Sequence, residues 1–117
     1  MTADEFAEIV LALPGVERGT SYGEPSFKLA GRFFTRVRAE DGAAVIKAGL
    51  FFRDALIATD PGVFYVTPHY ENGPYVLVRL NLIAMPVLEA LLWEAWERCA
   101  PPKLLREHAA RTAGVPS

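Results

Sequence analysis

Hydrophobic residues near both ends of the chain recur with helical spacing. In the first segment they fall three and four residues apart, which places them on one face of a helix: Phe6, Ile9, Val10 and Leu13. The same spacing returns after Pro86, in Leu88, Leu91, Leu92, Ala95 and Trp96. The pattern therefore predicts an amphipathic helix that ends at Pro14-Gly15 and a longer helix that ends at Pro101-Pro102.

Between these helices the hydrophobic period changes to two, which is typical of strands. Alternation runs through residues 26–30, 33–39 and 43–48, with short turns at 30–32 and 40–42, and so predicts an antiparallel meander. In the middle strand it places Phe33, Thr35 and Val37 on one face and Phe34, Arg36 and Arg38 on the other. Residues 15–25 are rich in Gly, Ser, Thr and Pro, and we expect them to form a connecting loop.

Further elements follow in the second half of the chain. Residues 50–58 suit a short helix, β-prone runs at 64–67 and 75–80 predict two more strands, and residues 103–113 suit one or two helical turns. The predicted order is α-β-β-β-α-β-β-α. It gives an α+β, two-layer sandwich with helices on one face of an antiparallel sheet and the other face exposed or dimerised.

The chain has the length of one domain, so we expect a single unit over residues 1–117 with its core at about 3–105 and a tail at 106–117. The residues expected in the core share either the helical stripe or the alternating strand pattern. They are Phe6, Ile9, Leu13, Phe34, Ile46, Leu88, Leu92 and Trp96.

Composition and charge argue against several classes of function. The net charge is −2, from 12 basic and 14 acidic side chains, whereas a dedicated nucleic-acid binder usually has a strong basic excess. The single Cys99 excludes an internal disulfide and a multi-thiolate metal site and fits a reducing compartment. With an acidic amino terminus and no apolar run long enough to span a bilayer, the sequence predicts a cytoplasmic protein without a membrane partner, metal or cofactor.

Basic residues are concentrated in the predicted meander. Residues 26–47 contain five basic and two acidic side chains, a net +3, while the remaining residues sum to −5. The candidate nucleic-acid-binding residues all lie in predicted strands: Lys28, Arg36, Arg38, Lys47 and Arg79. On one face they would form a positive, partly aromatic surface able to hold phosphates. The alternative is an ordinary solvated sheet face, where Lys and Arg discourage edge aggregation.

Two loops contain residues of a second candidate site, for which the sequence gives less support than for the basic residues. Tyr22 lies in a Gly- and Pro-containing bend, and His69 and Tyr70 follow Pro68, so these three residues are candidates for a small-ligand site or for structural packing. The sequence contains no nucleotide-binding loop and no nucleophile elbow. We therefore predict no catalytic residue and expect neither His69 nor Cys99 to support turnover.

Several motifs resemble the MmcQ/YjbR-like family of small bacterial proteins. The resemblance depends on four segments and on the helix with Trp93 and Trp96: Leu13-Pro14-Gly15-Val16, Thr20-Ser21-Tyr22-Gly23-Glu24-Pro25-Ser26-Phe27-Lys28, Thr67-Pro68-His69-Tyr70 and Tyr75-Val76-Leu77-Val78-Arg79-Leu80. It covers about residues 3–105. It implies an α+β sandwich likened to frataxin-type and secretion-chaperone-like folds, and a double-wing mode of DNA binding has been suggested for members.

The sequence favours two functions over a third, an enzyme or small-ligand binder around Tyr22, His69 and Tyr70, which no nucleotide-binding loop, catalytic triad spacing or metal cluster supports. The first is a non-enzymatic protein that binds DNA weakly and without sequence specificity through the basic sheet face. The second is a protein-interaction or chaperone-like module that dimerises or holds a partner on the uncovered sheet face. Steep salt dependence would favour phosphate binding over a packed protein interface.

Overall fold

The computed structural model describes residues 1–21 and 23–113, and within α4 the side chains up to residue 112. It contains four helices and six strands. In chain order these are α1 (Ala3–Leu11), β1 (Val16–Ser21), β2 (Glu24–Leu29), β3 (Arg32–Val37), β4 (Ala43–Lys47), α2 (Leu50–Thr59), β5 (Phe64–Tyr65), β6 (Tyr75–Arg79), α3 (Met85–Cys99) and α4 (Pro102–Ala113).

The predicted α+β class is confirmed. The six strands form an antiparallel sheet in the order β1-β2-β3-β4-β6-β5, and the predicted meander of β2, β3 and β4 lies at its centre. Thr2 begins α1 with a capping box, because its hydroxyl accepts from the Glu5 N–H while the Glu5 carboxylate accepts from the Thr2 N–H.

Two parts of the predicted order are wrong. Residues 16–21, predicted as a loop, form β1, which pairs with β2 from Val16 opposite Leu29 to Ser21 opposite Glu24. As an edge strand β1 buries only Val16, so it needs no alternating apolar pattern. Residues 102–113, expected to be a turn or two within a tail, form the 12-residue helix α4.

The main core lies between the helices and one face of the sheet. Seven of the eight predicted core residues are buried there, and the eighth, Ile9, is partly buried and packs against the same cluster. Trp96 of α3 is fully buried and its Nε1 donates to the Pro14 carbonyl oxygen at 2.7 Å, which joins α3 to the end of α1. His108 of α4 stacks on Trp93, with ring centroids 5.2 Å apart.

The opposite sheet face, called here the outer face, is not bare. Ala43, Val45 and Leu77 are buried on it beneath aromatic rings supplied by Phe33, Tyr65, Tyr70 and Tyr75. Tyr70 comes from the segment between β5 and β6, so a loop contributes to the cover. The expectation of an uncovered face therefore needs correction, because this loop and these rings already cover part of it. None of the helices described is long and apolar enough to cross a membrane.

Candidate nucleic-acid interface

Strand pairing places the predicted basic residues on the outer face. Arg36 is opposite Val45, and Arg79 is opposite Ala43; both partners belong to the outer-face cluster. Lys47 is likewise opposite Tyr75. Since residues directly opposite in an antiparallel pair share a face, these three cations lie on the outer face.

A bulge in β3 explains how Arg36 reaches this face. Thr35 pairs with Phe27 but Phe33 pairs with Lys28, so Phe34 is an extra residue between the two pairs. The bulge breaks strict alternation, and Phe33 shares the outer face with Arg36 while Phe34 remains in the main core. The prediction that Phe33 and Arg36 lie on opposite faces is therefore wrong. Lys28, opposite Phe33, also lies on the outer face.

Two of the five predicted cations are engaged with nearby groups. The Arg38 side chain is only 13% exposed, and its guanidinium lies 3.2 Å from the Glu40 carboxylate and 3.6 Å from that of Asp41. The Arg79 guanidinium carbon lies 4.1 Å from the centroid of the Tyr65 ring. Arg38 and Arg79 thus belong to one small cluster. Their contacts within it reduce the positive charge and the N–H donors that are available to bind a phosphate.

Asp41 and Tyr65 join that cluster by a hydrogen bond from the tyrosine hydroxyl to the carboxylate. Burial, followed by this bond and the charge of Asp41, raises the pKa of Tyr65 to about 12. Burial alone would raise the pKa of Asp41 as well. The Tyr65 hydroxyl, the Ala43 N–H and Arg38 outweigh it and hold that pKa below its ordinary value. Asp41 is therefore a carboxylate at neutral pH and offsets part of the positive charge.

The other three cations have no carboxylate within 4 Å among the residues that the structure describes: Lys28, Arg36 and Lys47. The Lys28 chain lies over Gly19 of β1, where a Cβ would come within 2.7 Å of the lysine Cγ. Lys47 is exposed at the end of β4. The outer face thus divides into a compensated end at Tyr65 and a positive end, where these three cations outnumber Glu17, the carboxylate that β1 places opposite Lys28.

A pocket of about 340 Å³, called here the aromatic pocket, opens on the positive end. Val45 is part of its lining, and its other lining residues are Ser21, Phe33, Arg36, His69, Tyr70 and Tyr75. The four rings make successive edge-to-face contacts, with centroids 6.0 Å apart for Phe33 and Tyr75, 6.3 Å for Tyr75 and Tyr70, and 4.8 Å for Tyr70 and His69. Its lining therefore combines aromatic rings with one guanidinium.

The loop that carries His69 and Tyr70 is held from both sides. On the outer face, Arg36 donates to the Tyr70 hydroxyl at 3.0 Å. From α2, the buried Arg53 donates through one guanidinium nitrogen to the carbonyl oxygens of Tyr70, Glu71 and Gly73, at 3.2, 2.8 and 2.8 Å. The walls of the pocket are thus supported by both the sheet and a helix.

The structure brings together part of the predicted weak ligand site. His69 and Tyr70 are neighbours in the aromatic pocket, while Tyr22 lies outside the described residues. Sequence reasoning missed Phe33 and Tyr75 as pocket walls and Arg53 as the support of the loop. The aromatic alternation of β3 was a usable signal for Phe33. No pattern in the sequence indicated the role of Arg53, because its partners are backbone carbonyls 17 to 20 residues away.

Over the described ranges, 1–21 and 23–113, no group of three or more His, Cys, Asp or Glu side chains is placed to hold a metal ion. Cys99 is a partly exposed free thiol at the end of α3.

Comparison with known proteins gives relatives without a stated activity. An uncharacterized protein of Mycobacterium tuberculosis and one of Mycobacterium bovis are each 44% identical to the chain over 71 residues, which is 61% of this chain and 54% of the relative. The chain thus spans about half the length of the curated relatives it matches. No protein-family model matches it, and no solved structure matches it significantly. The MmcQ/YjbR-like assignment stays a prediction.

Proposed function

We propose that this protein is a non-enzymatic binding protein that holds nucleic acid through the positive end of its outer face. The observation that carries the proposal is the pairing register, which puts Lys28, Arg36 and Lys47 on one face beside a pocket of aromatic rings. Cations that follow a phosphate backbone, together with rings on which bases stack, are the usual elements of sequence-tolerant binding. The resemblance to the MmcQ/YjbR-like family points the same way.

Two features limit the strength of this binding. The overall charge of −2 repels DNA at long range, and two of the five outer-face cations are already occupied by neighbours. We expect dissociation constants of about 1 to 100 μM near physiological salt, the range of non-specific binding. The three cations of the positive end lie on strands and not on a helix that could enter a major groove, so sequence preference should be small.

Charge reversal on the outer face tests the proposal. Fluorescence anisotropy of a labelled DNA oligonucleotide at low salt should show saturable binding by the wild type and about tenfold weaker binding by Arg36→Glu. The matched control is Arg106→Glu, which makes the same charge change at an exposed position of α4, and it should bind almost as the wild type does. Equal binding by all three proteins, or no binding by the wild type, would overturn the proposal.

A protein-interaction module is the second candidate. The observation that favours it is Phe51 on α2, whose side chain is 90% exposed next to Leu50, which is 51% exposed. Contiguous exposed apolar surface is typical of a protein-interaction site, and these two side chains are neighbours on one helix. If the wild type fails to bind DNA yet sediments as a concentration-dependent dimer, this second function takes the place of the first.

A further inference from the structure

A second pocket adjoins the aromatic pocket. It has a volume of about 200 Å³ and shares Phe33 and Tyr75 with the first as common walls. Its cationic lining residues are Arg32, Lys47 and Arg98, and we call it the cation pocket. Its other lining residues are Leu29, Phe34 and Cys99, which belong to the main core or pack on it, so the cation pocket extends from the two shared rings toward α3.

The bulged strand β3 accounts for the position of the two pockets. Its first half pairs with β2, through Arg32 and Phe33, and its second half pairs with β4, through Arg36 and Val37. On the far side of β4, Lys47 pairs with Tyr75 of β6. β2 and β4 flank β3 on opposite edges, and the described pairs between β3 and β4 begin only at Arg36, so the space beside Phe33 is available to a ligand.

The chemistry of the aromatic pocket suits a flat ring attached to an anion. Phe33, Tyr70 and Tyr75 offer ring surfaces, and stacking of one base on such a ring is worth about 1–3 kcal/mol. A guanidinium has five N–H donors, and Tyr70 accepts from one nitrogen of Arg36, which leaves donors for a phosphate. Burial raises the pKa of the Tyr75 hydroxyl, so it stays neutral and does not repel that phosphate.

The size of the aromatic pocket suits a single unpaired base better than a duplex. The aromatic pocket, at 340 Å³, lies at the lower end of the range of about 300–1,000 Å³ in which small molecules bind. A base in a duplex is stacked between neighbours, and taking it out costs a few kcal/mol. An unpaired base has no such cost to overcome. The pocket therefore favours a single strand.

We propose that the aromatic pocket takes one unpaired nucleotide of a single-stranded nucleic acid, with the base against Phe33 and Tyr75, one phosphate on Arg36 and the next phosphate in the cation pocket. This inference rests on the proposed function and deepens it, because it names the single strand as the ligand. The two pockets share Phe33 and Tyr75 as walls, so successive nucleotides of one strand can reach both.

Anisotropy with a 12-nucleotide thymidine oligomer and with a duplex of the same length tests the inference. The single strand should bind at least about tenfold more tightly, since one stacked base contributes that much. Phe33→Leu should remove most of that preference, because it should weaken the single strand more than the duplex. Phe33→Tyr, which keeps the ring, should retain the preference. Lys47→Glu in the cation pocket should weaken the single strand more than the duplex.

The outcomes distinguish this inference from the proposed function. Equal affinity for single strand and duplex, with no effect of Phe33→Leu but a loss in Arg36→Glu, overturns the pocket assignment and keeps the nucleic-acid interface. Binding of neither oligomer overturns both. Thymidine 5′-monophosphate alone, followed by NMR shifts of the Phe33 and Tyr75 rings, should bind more weakly than the oligomer. Tighter binding of the free nucleotide would overturn the assignment to a strand.

Discussion

At the scale of single residues, Asp41 shows how one side chain organises the compensated end of the outer face. Its carboxylate accepts from the Ala43 N–H at 3.1 Å and from the Tyr65 hydroxyl, and it lies 3.6 Å from the Arg38 guanidinium. In the sequence it is only the second residue of a turn. Its partners lie just after β3, at the start of β4 and in β5, so it stabilises the turn and β5 together.

The pKa of Asp41 gives a pH-dependent prediction. Since it is lowered in the folded protein, the carboxylate contributes stability above its unfolded pKa of about 4 and loses it as the pH falls through the folded value. Asp41→Asn should lower the free energy of unfolding at pH 7 by about 0.5–1 kcal/mol, a small amount because solvent screens a side chain that is 38% exposed.

Circular dichroism at several pH values measures this effect. The difference in Tm between the wild type and Asp41→Asn should be largest at pH 7 and should decrease as the pH falls below about 4, through the lowered pKa of Asp41. Glu40→Gln is the control, because Glu40 is 62% exposed and bonds only to Arg38, and it should change Tm less. A difference for Asp41→Asn that is the same at pH 3 and pH 7 would contradict the assigned role.

At the scale of elements, the loop between β5 and β6 depends on helix α2. Arg53 is only 7% exposed, and its guanidinium donates to three loop carbonyls from one nitrogen and pairs with Asp54 at 3.1 Å. A buried guanidinium must have such partners, because an unpaired charge in the interior is costly. The helix thereby sets the position of His69 and Tyr70 in the pocket.

Removing that guanidinium should loosen the loop. Arg53→Met keeps the aliphatic stem but leaves three carbonyls without their donor, and we expect a loss of about 2–3 kcal/mol in the free energy of unfolding. Urea denaturation measures the loss, and hydrogen exchange should accelerate at the Tyr70 and Gly73 amides. Asp54→Asn, at a side chain that is 68% exposed, should cost less than about 0.5 kcal/mol. A similar cost for both variants would show that the carbonyl contacts contribute little.

At the scale of the whole molecule, charge is distributed unevenly despite a total of only −2. Acidic residues Asp4, Glu5 and Glu8 lie exposed on α1, on the helix side of the sheet. Lys28, Arg36 and Lys47 lie on the outer face. An approaching polyanion is thus favoured on one side of the molecule and repelled on the other, which orients it toward the aromatic pocket.

This distribution sets the expected salt dependence. Three phosphate contacts on a single strand correspond to a slope of about −2 in log K against log salt, so affinity should fall about 20-fold between 50 and 200 mM salt. Anisotropy titrations over that range measure the slope. Arg36→Glu should reduce its magnitude by about one unit, while Arg106→Glu should leave it unchanged. A slope near zero would exclude phosphate contacts as the source of binding.

The sequence by itself determined the fold class, the helix faces and most of the core. Helical and alternating spacing is a local property, and burial of an apolar stripe is the main driving force, so Phe6, Leu88 and Trp96 were assigned correctly. The basic residues of the outer face were also selected from sequence, as a local excess of charge. β1 was missed because an edge strand that buries one residue carries no such pattern.

Only the tertiary structure decided where those side chains meet. The bulge at Phe34 turned Phe33 and Arg36 to one face, and no local pattern predicts an extra residue in a ladder. The aromatic pocket is formed by β1, β3, β4, β6 and the loop between β5 and β6, which strand pairing and the hydrogen bonds of Arg53 bring together. Such contacts depend on strand register and long-range hydrogen bonds, which become defined only when the chain is packed.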